Sequence, residues 1–176
     1  MLYFCEYKVE KICDLILAFK IDKNQNDQII KLSRIYFKNV FAKTKIKIIQ
    51  NVLLIHRHKK IIKKIFDYLD DIFKLKKIEI DFSDFDFSKC SNFERKILFC
   101  LYNNTKYGDT ISYSKLAELA GYNKNYSRAV GNAMAKNPFP IIFPCHRVIK
   151  SNGMLGNFQA GINIKKKLLE FENLYL

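Results

Sequence analysis

The sequence predicts two domains of different class, an α/β domain followed by a mostly α, winged helix-turn-helix domain, and three observations carry that reading. Short apolar runs of β-formers punctuate the first half. Capping and turn signals mark out short helices from residue 91 onward. Between them the acidic, Ser-containing stretch Ser83-Asp84-Phe85-Asp86-Phe87-Ser88-Lys89 reads as a connection. The expected boundaries are 1–84 for the α/β domain, 85–91 for the linker and 92–176 for the winged domain.

In the first domain, Leu15-Ile16-Leu17-Ala18-Phe19 and Ile46-Lys47-Ile48-Ile49 suggest strands, and Ile78-Glu79-Ile80-Asp81-Phe82 alternates with period two. Ile61, Ile65, Leu69, Ile72 and Phe73 share one face of a 3.6-residue period, with Lys59, Lys60, Lys63, Lys64 and Asp67 toward solvent, which predicts an amphipathic scaffold helix. In the second domain, Ser91 and Glu94 form a capping box ahead of the apolar face Phe93, Ile97, Leu101. A helix from near Ser112 should stop at Gly121, which tolerates a left-handed cap, and another should span Tyr126 to Lys136 and stop before Pro138. The last of these carries the small residues Ala129, Gly131, Ala133 and Ala135, a face fit for close approach to another surface. Val148-Ile149-Lys150, the turn at Asn152-Gly153 and Met154-Leu155 read as a hairpin wing. Asn163 is expected to cap a final helix with Ile164, Leu168, Leu169 and Phe171 on its apolar side.

Composition narrows the function classes. The net charge is +14, and dividing the chain after Cys90 leaves +7 on each side, from 19 basic against 12 acidic residues and 12 against 5. Such a balance suits either a Lys-rich solvated surface or a polyanionic partner. No apolar run approaches the ~20 residues of a membrane span and no secretory signal is visible, so a soluble, cytoplasmic chain is expected. Five scattered cysteines argue against a disulfide framework and for reduced thiols. Cys5, Cys13, His56 and His58 could be assembled into a zinc site, but no CxxC pair anchors it, and no metal or cofactor is expected.

The chemistry concentrates at Cys145. His146 and Arg147 follow it, and all three prolines, Pro138, Pro140 and Pro144, crowd just before it. A nucleophilic thiol needs a base or a positive field, yet adjacent residues of an extended chain point oppositely, so contact between His146 and the sulfur would need a bent backbone or a bridging water. Read from the residues alone, the pair is more readily a buried structural one.

Pro144-Cys145-His146-Arg147-Val148 followed by Gly156-Asn157-Phe158-Gln159-Ala160-Gly161 resembles the active-site signature of the O6-alkylguanine-DNA alkyltransferases. The likeness extends through Ile111-Ser112-Tyr113-Ser114-Lys115-Leu116-Ala117, Arg128-Ala129-Val130-Gly131-Asn132-Ala133-Met134 and Asn137-Pro138-Phe139-Pro140, over about residues 93 to 172. The resemblance implies direct-reversal repair of double-stranded DNA by a monomer. Cys145 would take the alkyl group from O6-alkylguanine, and more weakly from O4-methylthymine, irreversibly and once. It implies His146 as the base acting through a water, Glu172 as the carboxylate orienting it, Asn137 as the brace of the active-site turn and Tyr113 as a proton donor that also crowds the phosphate. Arg128 would fill the gap left by an extruded base, with Ser127, Ala129 and Gly131 beside it at the DNA. Met134, Pro140, Val148, Phe158 and Gln159 would line the pocket. Two departures bear on alkyl size: many members of the family have Tyr where this chain has Phe158 and a small residue where it has Gln159.

A winged-helix reader of alkylated DNA without activity is the rival reading, and the presence of Cys145 argues against it. A cysteine hydrolase would need an oxyanion hole and usually a histidine distant in sequence.

Overall fold

The computed structural model describes residues 2–9, 12–23, 28–42 and 59–174. Contacts divide the chain into two compact units, 1–87 and 88–176.

The first unit is built on an antiparallel sheet of β1 (Leu2–Tyr7), β2 (Leu15–Lys23) and β3 (Gln28–Phe37), with β2 in the centre. Centrality explains the unbroken apolar run Leu15 to Phe19. A middle strand covered on both faces has no solvent side to alternate toward, and all five residues are buried. A register shift between Ala18 and Phe19 bends β2 against β3. After the short α1 (Lys38–Phe41), the expected amphipathic helix is α2 (Lys59–Phe73), which buries Ile65 and Leu69. Tyr7 of β1 packs edge-on against Phe66 of α2 at 5.3 Å, and its hydroxyl donates to Asp70 at 2.6 Å.

The strand expected over 78–82 does not form. Ile78 and Ile80 are half-buried and Glu79 and Asp81 exposed, so the alternation is real, but it serves one-sided packing without a ladder. The segment ends in a 3₁₀ turn, Phe82–Asp84, capped by the Asp81 carboxylate, which accepts from the Ser83 amide at 3.0 Å. Phe85, within the expected linker, is buried and bridges Leu32 of β3. The strand expected at 46–49 lies outside the described residues.

The second unit opens with α3 (Asn92–Asn104) and its capping box: the Glu94 amide donates to Ser91 Oγ at 3.2 Å, and the Ser91 amide to Glu94 Oε2 at 2.9 Å. Strand β4 (Ile111–Ser112) leads into α4 (Tyr113–Leu119), closed by Gly121 at φ +78°. A 3₁₀ turn, Lys124–Tyr126, then feeds α5 (Ser127–Lys136). Helices α3, α4 and α5 pack on Ile97, Leu98, Leu101, Leu116, Ala117, Val130 and Ala133. Ala133 therefore faces the core rather than the open side of α5.

The expected wing is only half realised. A turn closes through Lys150 and Met154, whose amide and carbonyl pair at 2.8 Å, but Met154-Leu155 forms no strand. Strand β5 (Val148–Ile149) instead pairs parallel with β4, a partnership of two residues each that no periodicity could announce. The final helix, α6, runs Ile162–Leu174, so Asn163 sits inside its first turn, and the Gly161 carbonyl accepts from the Lys165 amide at 3.2 Å.

Candidate active site

Asn137 closes α5 and turns the chain toward the cysteine. Buried, it donates from Nδ2 to the Phe143 carbonyl at 2.9 Å and accepts the Phe139 amide on Oδ1 at 3.0 Å. Both ends of its amide are thus used to hold a loop whose Phe139 and Phe143 are fully buried. The loop carries strain, because Ile141 sits at φ +77°, a conformation worth ~1–3 kcal/mol against a β-branched residue. Asn137 and the buried phenylalanines over-determine it. The result is a bent backbone at Cys145–Arg147, a single 3₁₀ turn rather than an extended strand, which removes the objection that neighbouring side chains must diverge.

Cys145 is 3% exposed. Burial pushes its thiol up to about 11, against a hydrogen bond from Asn137, the charge of Lys165 and the amides of Cys145 and His146, which all favour the thiolate. At neutral pH the resting sulfur is therefore a thiol and needs a base to react.

A histidine is next to it. His146 Nε2 lies 2.8 Å from Glu172 Oε1. Burial would push the Glu172 carboxyl up, but hydrogen bonds from His146 and Arg147 and the charge of Arg147 outweigh it and hold the group down to about 2. An ionised carboxylate only accepts, so Nε2 carries the proton it donates. Burial lowers the pKa of His146 itself, and Arg147 and Lys165 add to that effect against the pull of Glu172, so the ring is neutral. Its Nδ1 is buried and makes no hydrogen bond among the described residues, leaving a lone pair available for a proton.

Two buried cations complete the centre. Arg147 donates from Nε to Glu172 Oε2 at 2.9 Å and from Nη2 to Oε1 at 2.8 Å. Its Nη1 reaches the Thr105 carbonyl at the end of α3 at 3.1 Å, and its guanidinium lies over Tyr107. Lys165, 0% exposed, donates to the carbonyls of Val148, at 2.6 Å, and Leu155, tying the post-turn segment to β5. Burial brings its ammonium down to about 8, with the Cys145 charge opposing. The site reading by residue type missed Lys165. The signal was a lysine seven residues before Glu172, on the same helix side as Leu168 and Leu169, where a solvated lysine does not belong.

A cavity of about 650 Å³ opens onto Cys145 and is lined by Tyr113, Ser127, Arg128, Gly131, Met134, Phe158 and Gln159 among others. Of the expected pocket, Met134, Phe158 and Gln159 thus lie on the wall, whereas Pro140 and Val148 are buried off it. Ala129, expected at the DNA, is half-buried and off the wall, while Ser127, Arg128 and Gly131 are on it. Asn132 and Asn157, which stand within the motifs but were given no role, and Lys150, outside them, also line the cavity. Tyr113, half-buried, is the first residue of α4; burial raises its hydroxyl pKa, with Cys145 adding to the shift. The Tyr113 ring runs beside Gly131, and its hydroxyl lies so close to Gly156 that a Cβ there would sit 3.1 Å from Oη. Among the described residues, no group of three His, Cys, Asp or Glu side chains could hold a metal, and no helix is long and apolar enough to cross a membrane.

Residues 92–174 match the family model described as the DNA binding domain of 6-O-methylguanine DNA methyltransferase. Fold and site together define a helix-turn-helix domain with a buried thiol at a cavity. The methylated-DNA–protein-cysteine methyltransferase of Methanothermobacter thermautotrophicus is 36% identical over 115 residues, 65% of this chain and 63% of that protein. The human protein of the same description is 48% identical over 81 residues, 46% of this chain and 39% of that protein. The aligned segments thus span less than two thirds of each relative. The crystal structure of the Mycobacterium tuberculosis O6-methylguanine methyltransferase superposes with a TM-score of 0.69 at 26% identity, covering 100% of this chain and 95% of that one. Over residues 92–174 the chain is thus similar to the methylated-DNA–protein-cysteine methyltransferases.

Proposed function

We propose that this protein repairs double-stranded DNA by moving an alkyl group, methyl above all, from O6 of guanine to Sγ of Cys145. The observation that carries the reading is the buried His146–Glu172 hydrogen bond beside Cys145, at the floor of a cavity that also holds Tyr113 and Arg128. Sγ attacks the alkyl carbon, the S–C bond forms as the C–O6 bond breaks, and the thiol proton passes to His146 Nδ1 through a bridging water. Tyr113 donates toward the departing guanine so that it does not leave as a free anion, and the proton held on His146 restores the balance. Asn137 fixes the turn that aims the sulfur, and Glu172 holds the ring with Nδ1 bare.

The target base must leave the duplex to reach a buried sulfur, at a cost of a few kcal/mol, least where alkylation has already weakened its pairing. Arg128, exposed at the cavity mouth, fills the vacated stack, with Ser127 and Gly131 against the groove. The product is a thioether, which lacks the carbonyl that lets water release an acyl group, so each molecule acts once. O4-methylthymine is a weaker substrate of the same chemistry. No disulfide joins the five cysteines, as suits the reduced thiols of the cytoplasm.

The test is to mix the protein with a duplex oligonucleotide bearing O6-methylguanine and weigh the intact chain. One methyl mass on Cys145, abolished by Cys145→Ser, is expected. Tight binding with unchanged mass would overturn the transfer and leave a silent reader.

A further inference from the structure

Glu172 accepts a long hydrogen bond from the Gly108 amide at 3.4 Å and serves two side chains, and the unequal division between these two has a chemical consequence. A carboxylate that faces only a histidine draws the ring toward imidazolium, and an imidazolium cannot accept the thiol proton. Here Arg147 takes both carboxylate oxygens with its planar fork, while His146 shares only Oε1. A guanidinium stays charged at every working pH, and this one is buried, fixed at its other end by the Thr105 carbonyl and covered by Tyr107. His146 therefore faces a neutralised ion pair instead of a bare carboxylate.

We propose that Arg147 is a positioning residue that holds His146 in its neutral, Nε2–H form by taking up the charge of Glu172. The charged groups acting on the ring are Glu172 and Lys165 of α6 and Arg147 of its own turn, with the Cys145 thiol as its titratable neighbour. Two of the three charges are positive and oppose a proton on Nδ1. Burial of the ring acts in the same direction. Without Arg147 the balance reverses, since the side chain left to pair with Glu172 is the imidazole, which then takes a proton to do so. The base is lost while every other part of the site stays in place. The inference deepens the proposed transfer, and it rests on that reading for His146 as the base.

Two measurements test it. In ¹⁵N-imidazole spectra of the full chain, with His146 assigned by comparison with His146→Gln, the ring should show a protonated Nε2 and a bare Nδ1 from about pH 6 to about pH 8. A wild-type ring protonated on both nitrogens at the lower value overturns the proposal. In single-turnover methyl transfer, Arg147→Met should move the acid limb of the pH–rate profile upward by about one pH unit or more, so the loss is about tenfold greater near pH 6 than near pH 8.5. Arg147→Lys keeps the charge and should leave the limb at its wild-type position with a lower plateau, which supplies the comparison should Arg147→Met not fold. A purely structural role predicts the same factor at every pH, and an Arg147→Met profile that superposes on the wild type after scaling, or an acid limb displaced in Arg147→Lys, overturns the proposal. A protein that transfers no methyl group, yet shows the neutral ring and its loss in Arg147→Met, refutes the functional reading and leaves the proton placement standing.

Discussion

The two units hold their charges in opposite ways. In the first, Lys38 pairs with Glu6 and Asp14, and Lys64 with Asp81, in contacts open to water; Lys38 is 51% exposed. In the second, the buried polar residues Thr105, Asn137, His146, Arg147, Lys165 and Glu172 sit inside the fold, and no other buried polar residue is found among the described ones. Identical chemistry has a different weight in the two places. Solvent and salt screen an exposed pair, while a buried one keeps its field and pays a desolvation cost that only complete pairing offsets. The second arrangement is what a site needs to hold a proton on one chosen nitrogen.

The largest effect should come from breaking that buried set. Glu172→Gln leaves the Arg147 charge unpaired in the interior, which costs ~3–5 kcal/mol of stability, and replaces the charged acceptor that orients His146 with a neutral amide, slowing transfer ~100-fold or more. Lys38→Met, by contrast, should leave the thermal melt unresolved from wild type. The pH dependence has a definite sign. Glu172 is held at about 2 in the fold against an ordinary 4.5, so its contribution is fully present above the unfolded value and disappears as pH falls from there toward 2; it amounts to about 3 kcal/mol. His146, lowered in the fold, acts in the same direction just below its ordinary 6.5. Lys165, lowered from 10.5 to about 8, makes stability rise with pH across that interval. Urea titrations at stepped pH, in low and in high salt, check this: the acid loss should persist in high salt in the wild type and flatten in Glu172→Gln.

The difference between the units also explains what the sequence could show. Runs and caps are local, and they were legible: the unbroken apolar stretch of β2, the capping box at Ser91, the stop at Gly121 and the apolar stripe of α2. The ordered motifs around Cys145 brought Tyr113, Asn137, His146 and Glu172 to attention. Partnerships across the chain were not legible. Nothing near Arg147 says that it meets a glutamate 25 residues on, and nothing near Val148 says that its neighbour is Ile111 rather than the far side of the Asn152-Gly153 turn. The alternation at 78–82 failed for the same reason, because a face pattern reports burial and a ladder requires a partner.

Smaller effects sharpen the contrast between the buried floor of the site and its open mouth. Arg128→Ala removes no buried contact, so stability should hold, while repair of O6-methylguanine in duplex DNA falls ~10–100-fold and transfer from the free base changes little. Equal losses on the two substrates, in parallel kinetic assays, would remove Arg128 from base extrusion. On the pocket wall, Gln159→Ala makes room beside Cys145, and the ratio of benzyl to methyl transfer should rise about tenfold. A ratio unchanged in competition between the two alkylguanines would show that Gln159 does not limit alkyl size.

The finest comparison sets two glycines of one loop against each other. Gly153 and Gly156 both sit at positive φ, +81° and +70°, so alanine at either costs ~1–2 kcal/mol of backbone strain. Around Gly153 nothing lies within 4 Å of an added Cβ, whereas at Gly156 that Cβ would stand 3.1 Å from the Tyr113 hydroxyl and 3.4 Å from its ring. Strain alone lowers the melting temperature without touching the chemistry, and that is the whole effect expected of Gly153→Ala. Gly156→Ala must also push Tyr113 aside by a few tenths of an ångström, moving the group proposed to donate toward the departing guanine. The two variants should therefore melt within a few degrees of each other, yet only Gly156→Ala should slow methyl transfer, by a few-fold. Single-turnover rates measured on both, at one temperature well below their melts, decide whether Tyr113 acts from the position in which Gly156 leaves it.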